Sequence, residues 1–225
     1  MSESRILHIR ESIAVARKIE SEKHTLERYL VSKIPMLHRA IALPEENPES
    51  ALLEFVTRYI EHVPDFIEAL TALTKEAGIY EYTQSFLTIA EDYFIRPPEL
   101  VGEHSGLHQL IDEAYLAHRL LEEVNDRVMM ACGMPLAPMD MTLSNLVIHE
   151  LLGDEFANQL DLAVHYSIEA LFQTDSFFNE ESFKNYIIKF RKAGWETTIK
   201  DWPCLAGDSA ISLNMSDDYA GAAIH

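Results

Sequence analysis

The strongest constraint on this chain is helical periodicity broken only by short segments, and it is clearest over residues 107–172. Apolar residues recur as Leu107, Leu110/Ile111, Ala114, Leu121, Val124 and Val128, the spacing that turns one face of an α-helix to a core. Gly133, Pro135 and Pro138 end that pattern, because glycine closes a helix in a left-handed conformation and proline prevents its immediate resumption. Asp140 or Thr142 can then cap a second helix with a side-chain oxygen. Leu152, Phe156, Leu160, Ala163/Val164, Ile168 and Leu171 share one side, so the spacing predicts a single helix over 142–172, on the order of 45 Å long. The short turn makes the two helices antiparallel neighbours.

The remaining segments read the same way. Residues 4–42 form one long amphipathic pattern (Ile6, Ile9, Ile13, Ala16, Ile19, then Leu26, Leu30, Ile34, Leu37, Ile41), which Pro35 must kink or break. Glu20, Glu22, Lys23, Glu27 and Arg28 interrupt its stripe and are expected in water. After the break LPEENPES at 43–50, Ser50 opens a helix through Leu52/Leu53, Val56, Tyr59/Ile60 and Val63. Pro64 is expected to kink or restart it, with Phe66, Ile67, Leu70 and Leu73 continuing to Gly78. A helix over 79–95 carries Tyr82, Phe86, Ile89/Ala90 and Tyr93/Phe94 and stops at Arg96-Pro97-Pro98. The last helix starts near Asn179-Glu180-Glu181 and runs through Phe183, Ile187 and Phe190. It holds the one basic cluster, Lys184, Lys189, Arg191 and Lys192, with Trp195 and Trp202 expected to seal it to the body. The expected fold is all-α: one compact bundle of about six or seven helices over 1–206, with a long kinked N-terminal helix and the central antiparallel hairpin 107–172. Residues 207–225 lack periodicity and are expected to form a loosely held tail.

Charge narrows the function. Thirty-seven acidic residues against 18 basic give a net charge of −19, a field that repels nucleic-acid phosphates and anionic lipid. Neither nucleic acid nor membrane is therefore expected as a partner, while a protein partner or a homo-oligomer fits. The N-terminus has no apolar core of signal-peptide length, no apolar run is long enough to span a bilayer, and Cys132 and Cys204 make no disulfide framework. A cytoplasmic location is expected. The phosphate loops GxGxxG and Walker A, the nucleophile elbow GxSxG, and the metal motifs HExxH and Glu-x-x-His do not occur.

One metal-site expectation comes from the hairpin. Equal counts outward from its turn set Asp112 opposite Asp161, His108 opposite His165 and His118 opposite Glu155. His108-x-x-x-Asp112 and Asp161-x-x-x-His165 each place an imidazole and a carboxylate one turn apart, a donor set that suits Fe, Mn or Zn. The four would form an oxidase-type non-haem centre between helices 107–131 and 142–172, with His118, Glu155 or Glu91 as further or supporting ligands and Glu61, His62, Asp65 and Asp92 as other candidates. Size and helix number resemble the haem-oxygenase-like architecture, whose metal-using members carry His-x-x-x-Asp-x-x-His; here Tyr115 stands where the third histidine would be, so the resemblance is partial. The competing expectation is that the same polar stripes simply face water. In that case His118 is a core histidine bonded to a carboxylate such as Glu155, and the chain is a non-enzymatic acidic protein acting through protein–protein contacts.

Overall fold

A computed structural model describes residues 2–99, 106–172, 181–193 and 210–213, with the side chains of 2, 3, 182 and 190–193 outside that description. It is all-α, with eight α-helices among the described residues and a two-residue strand pair. Two of the expected helices are each split in two.

The first split falls at His24, ahead of the expected break at Pro35. Helix α1 (Ser2–Lys23) buries Ile6, Ile9, Ile13 and Ala16. His24 then adopts a left-handed conformation (φ 51°), and α2 (Thr25–Lys33) begins. Glu20, expected in water, is buried and caps that start: its carboxylate accepts the N–H groups of Leu26 (2.9 Å) and Glu27 (3.0 Å) and the Thr25 hydroxyl (2.9 Å). A helix start has unpaired N–H groups, and a carboxylate there satisfies them and suits the dipole. Pro35 lies in the short 3-10 turn Ile34–Met36 that ends α2.

Helix α3 (Pro48–Glu76) opens with proline in its first turn and continues through a buried Pro64 without restarting. Helix α4 (Tyr80–Ile95) follows the turn at Gly78, with Phe86, Leu87, Ala90, Tyr93 and Phe94 in the core. Helix α5 (Leu107–Cys132) is the centre of the bundle, in contact with α1, α2, α3, α4 and the two helices after it, and is capped by left-handed Gly133. Enclosed on so many sides, α5 buries Asp112, Glu113, Tyr115 and His118 along with its apolar residues. Its polar stripe meets other helices and not only water.

The second split is at Gly153. Helix α6 (Thr142–Leu152) starts with the Thr142 N–H donated to the Asp140 carboxylate at 3.1 Å, and α7 (Asp154–Leu171) follows after one residue. Gly153 sits at φ 87°, ψ 143°, a region open in practice only to glycine, so the expected 142–172 helix is two helices. Helix α8 (Glu181–Ala193) buries Phe183, Tyr186 and Ile187, and the Tyr186 hydroxyl donates to the Leu136 carbonyl. Lys184 and Lys189 are exposed on it; the side chains of Phe190, Arg191 and Lys192, and all of Trp195 and Trp202, lie outside the described residues. Of the expected tail, residues 210–213 are described: Ile211 is buried, and Ser212–Leu213 pairs antiparallel with Ile41–Ala42. No helix among the described residues is long and apolar enough to cross a membrane.

Candidate functional site

Helices α6 and α7, separated at Gly153, both pack on α5, and a pocket of about 280 Å³ lies where the three meet. Its wall is Tyr115, Arg119 and Glu122 from α5, Thr142, Asn145, Leu146 and His149 from α6, and Asp161 from α7. On α5 the three contributors are spaced four and three residues apart, which brings them to one face.

A continuous chain of hydrogen bonds holds these groups. The Tyr59 hydroxyl, from α3, donates to Asn145 Oδ1 at 2.7 Å, and Asn145 Nδ2 donates to Glu122 Oε2 at 2.8 Å. The same carboxylate oxygen pairs with the Arg119 guanidinium. Arg119 Nε donates to Asp161 Oδ1 at 2.9 Å, and the Tyr115 hydroxyl donates to Asp161 at 3.1 Å. The His149 ring stands edge-on to Tyr115, centroids 6.3 Å apart. Burial works against the Arg119 charge, but the hydrogen bond to Asp161 and the nearby charges of Glu122 and Asp161 outweigh it and raise its pKa. Burial, then the Asp161 charge, raises the Tyr115 pKa, so its phenol stays a donor. The outcome is a rigid site that presents one cation, two carboxylates and an imidazole.

The four expected metal ligands are not drawn together. The His108 ring lies against Tyr29 (centroids 4.1 Å). Asp112 is 3% exposed, and its charge adds to the burial that pushes the Tyr29 phenol up to about 12. Asp161 is held by Arg119 and Tyr115, and His165 is exposed beside Tyr166 (6.1 Å). Among the described residues no group of three or more His, Cys, Asp or Glu is placed to hold a metal ion. The level count assumed one straight helix over 142–172, and the Gly153 break removes that premise.

The supporting residues also have other duties. Glu91 and Asp92 pair with Arg5, Glu61 with Arg17 and Asp65 with Arg10, joining α1 to α3 and α4. Glu155 is exposed, so it is not the partner of His118. His118 is a core histidine bonded instead to a carbonyl: Nε2 lies 3.0 Å from the Tyr59 oxygen. A carbonyl only accepts, so Nε2 carries the proton. Nδ1 has no hydrogen-bond partner, and the Tyr59, His62 and Phe66 rings lie 4.4, 5.4 and 6.0 Å from the imidazole. Burial, reinforced by His62, lowers its pKa to about 3.

Arg119, Glu122, Asn145 and His149 were not among the expected site residues. The available signal was Arg119, one turn after Tyr115 in the polar stripe, since a guanidinium on a central helix needs carboxylate partners. Compared with family models, curated proteins and solved structures, the chain matches none.

Proposed function

We propose that this protein is a ligand-binding helical bundle whose site is the pocket between α5, α6 and α7, and that its ligand is a small zwitterion of amino-acid size. The observation that carries this reading is the pairing of opposite charges on a preorganised wall: Arg119 between Glu122 and Asp161, with Asn145 and Tyr115 fixing the two carboxylates. Two of the five guanidinium N–H groups are used among the described residues, through Nε and Nη1, and each carboxylate has lone pairs beyond those engaged. A ligand carboxylate can therefore join Arg119 while a ligand ammonium joins Glu122 or Asp161. The volume of about 280 Å³ suits a small molecule. Binding is favoured over catalysis because Tyr115, Arg119, Glu122 and Asp161 already hold one another.

The test is an NMR titration of isotope-labelled protein with glycine, alanine and β-alanine, with acetate and methylamine as singly charged controls. A zwitterion is expected to shift the signals of Tyr115, Asn145 and His149 at concentrations where neither control does. Arg119→Gln should weaken that binding by about tenfold or more, the contribution of a charged hydrogen bond. Leu146→Trp, on an exposed position of the pocket wall, should obstruct entry without touching the network. Equal response to the controls, or no response to any zwitterion, refutes the reading.

A further inference from the structure

The opposite side of α5 carries a second, larger cavity. At 3.6 residues per turn, Gly106, Gln109, Leu110 and Glu113 face away from Tyr115, Arg119 and Glu122. There a cavity of about 480 Å³ lies between α1, α4 and α5, with apolar walls from Val15, Ala16, Ile19, Phe94 and Leu110. Gly106 (φ 70°) brings the start of α5 tight onto α1: a Cβ there would meet Ile19 at 3.0 Å and the Ala16 carbonyl at 3.4 Å. That close approach fixes one end of the cavity.

The buried charged residue of this wall is Glu113, 1% exposed. Gln109 donates to its Oε1 at 3.2 Å, and its Oε2 has no hydrogen-bond partner. Buried polar groups are paired in the great majority of cases, so an unpartnered carboxyl oxygen on a buried residue that lines a cavity needs a reason. Among the described residues lining the cavity there is no Lys or Arg; its other titratable groups, His8 and Glu11, are exposed on α1. Charge thus selects against an anionic ligand, and the walls select for an apolar body. We infer that this cavity binds an amphiphilic primary amine, its hydrocarbon part against Val15, Ile19, Phe94 and Leu110 and its ammonium on the Glu113 carboxyl. Burial already holds the Glu113 carboxyl up at about 8, so it is mostly protonated without such a cation. The volume lies within the range of small-molecule cavities.

The experiment is calorimetric titration of the full chain with n-octylamine, n-octanol and octanoate, which share a tail and differ in the head. Octylamine is expected to bind about tenfold or more tighter than octanol, and octanoate not at all. Glu113→Gln resembles the protonated acid in shape and hydrogen bonding, so the fold is retained, and the amine and alcohol should then bind within about twofold of each other. Ala16→Leu, which fills the apolar wall, should weaken both by a similar factor. Equal binding of amine and alcohol to the wild type overturns the inference, as does an amine preference that survives Glu113→Gln or the failure of octylamine to bind.

Discussion

Replacing Glu113 by Gln should stabilise the protein, and the gain should grow with pH in a way the structure sets. Burial is the largest influence on this carboxyl, the charge of Asp112 adds to it, and the hydrogen bonds from its own backbone and from Gln109 only partly oppose them. Together they push the folded carboxyl up from its ordinary 4.5 to about 8. In the unfolded chain the proton leaves near 4.5, while the folded chain keeps it until about 8. Between those values the unfolded state binds fewer protons, so folding stability falls as pH rises, by about 1.4 kcal/mol per pH unit. The loss is near zero at pH 4.5, roughly 3 kcal/mol at pH 7 and about 5 kcal/mol at pH 8 and above, where both states are ionised. Gln does not titrate and escapes the whole of it. Urea unfolding of the two proteins at pH 5, 7 and 8.5 measures the difference directly, because every other titrating group is common to both. At pH 7 the melting temperature of Glu113→Gln should lie roughly 6–12 °C above the wild type, at about 2–4 °C per kcal/mol for a chain of this size. Stability curves that run parallel across this range would show that Glu113 is not held neutral, and the reasoning about its wall would fall with it.

Three further outcomes follow from other sites. His118, lowered to about 3 by burial and by His62, gives the opposite slope: the unfolded state takes up a proton near 6.5 and the folded state does not, so stability falls as pH drops below 6.5. His118→Gln, which keeps a donor for the Tyr59 carbonyl, should recover roughly 3 kcal/mol relative to wild type between pH 6.5 and 4.5, read by urea unfolding at both values. Gly153→Ala meets no atom within 4 Å yet imposes a side chain at φ 87°, so it should cost about 1–3 kcal/mol through backbone strain alone; an unchanged melting temperature would contradict the split between α6 and α7. Glu20→Ala removes the acceptor for two N–H groups at the start of α2 and should cost about 2 kcal/mol in thermal unfolding, whereas a solvated Glu20 predicts no change.

The all-α fold was legible because apolar spacing reports which face of each helix is buried, and Ile6, Ile9 and Ile13 or Leu121, Val124 and Val128 are in the core as that spacing requires. Helix ends were less legible. Pro64 looks like a kink or a restart in sequence; with buried residues on both sides of it, the helix runs through without restarting. Gly153 looks like a tolerated glycine inside a helix, and only its conformation reveals the break. Glu20 reads as a surface acid because its partners, the N–H groups of Leu26 and Glu27, exist only once the chain has turned at His24. The candidate site was less legible still. Counting along two straight helices paired Asp161 with Asp112, whereas the structure pairs Asp161 with Tyr115 and Arg119, about one and two turns further along α5.

Both cavities depend on how α5 handles acids in a bundle that encloses it. On one face Glu122 and Asp161 are matched by Arg119, and the cation makes burial of the carboxylates tolerable. On the other face Glu113 has no cation on the cavity wall among the described residues, and a carboxyl taken out of water without a counter-charge keeps its proton. The two sites therefore call for different ligands from the same residue type. Where the cation is built in, a ligand must bring both charges to improve on the existing pairs; where it is missing, a ligand that brings only the cation suffices. Arg119 and Glu113 can be exchanged for Gln independently, and a protein that loses zwitterion binding in one variant and amine preference in the other would have two separate sites on one helix. Loss of both responses in either variant would mean that α5 transmits a change from face to face, and the two cavities would have to be treated as one coupled system.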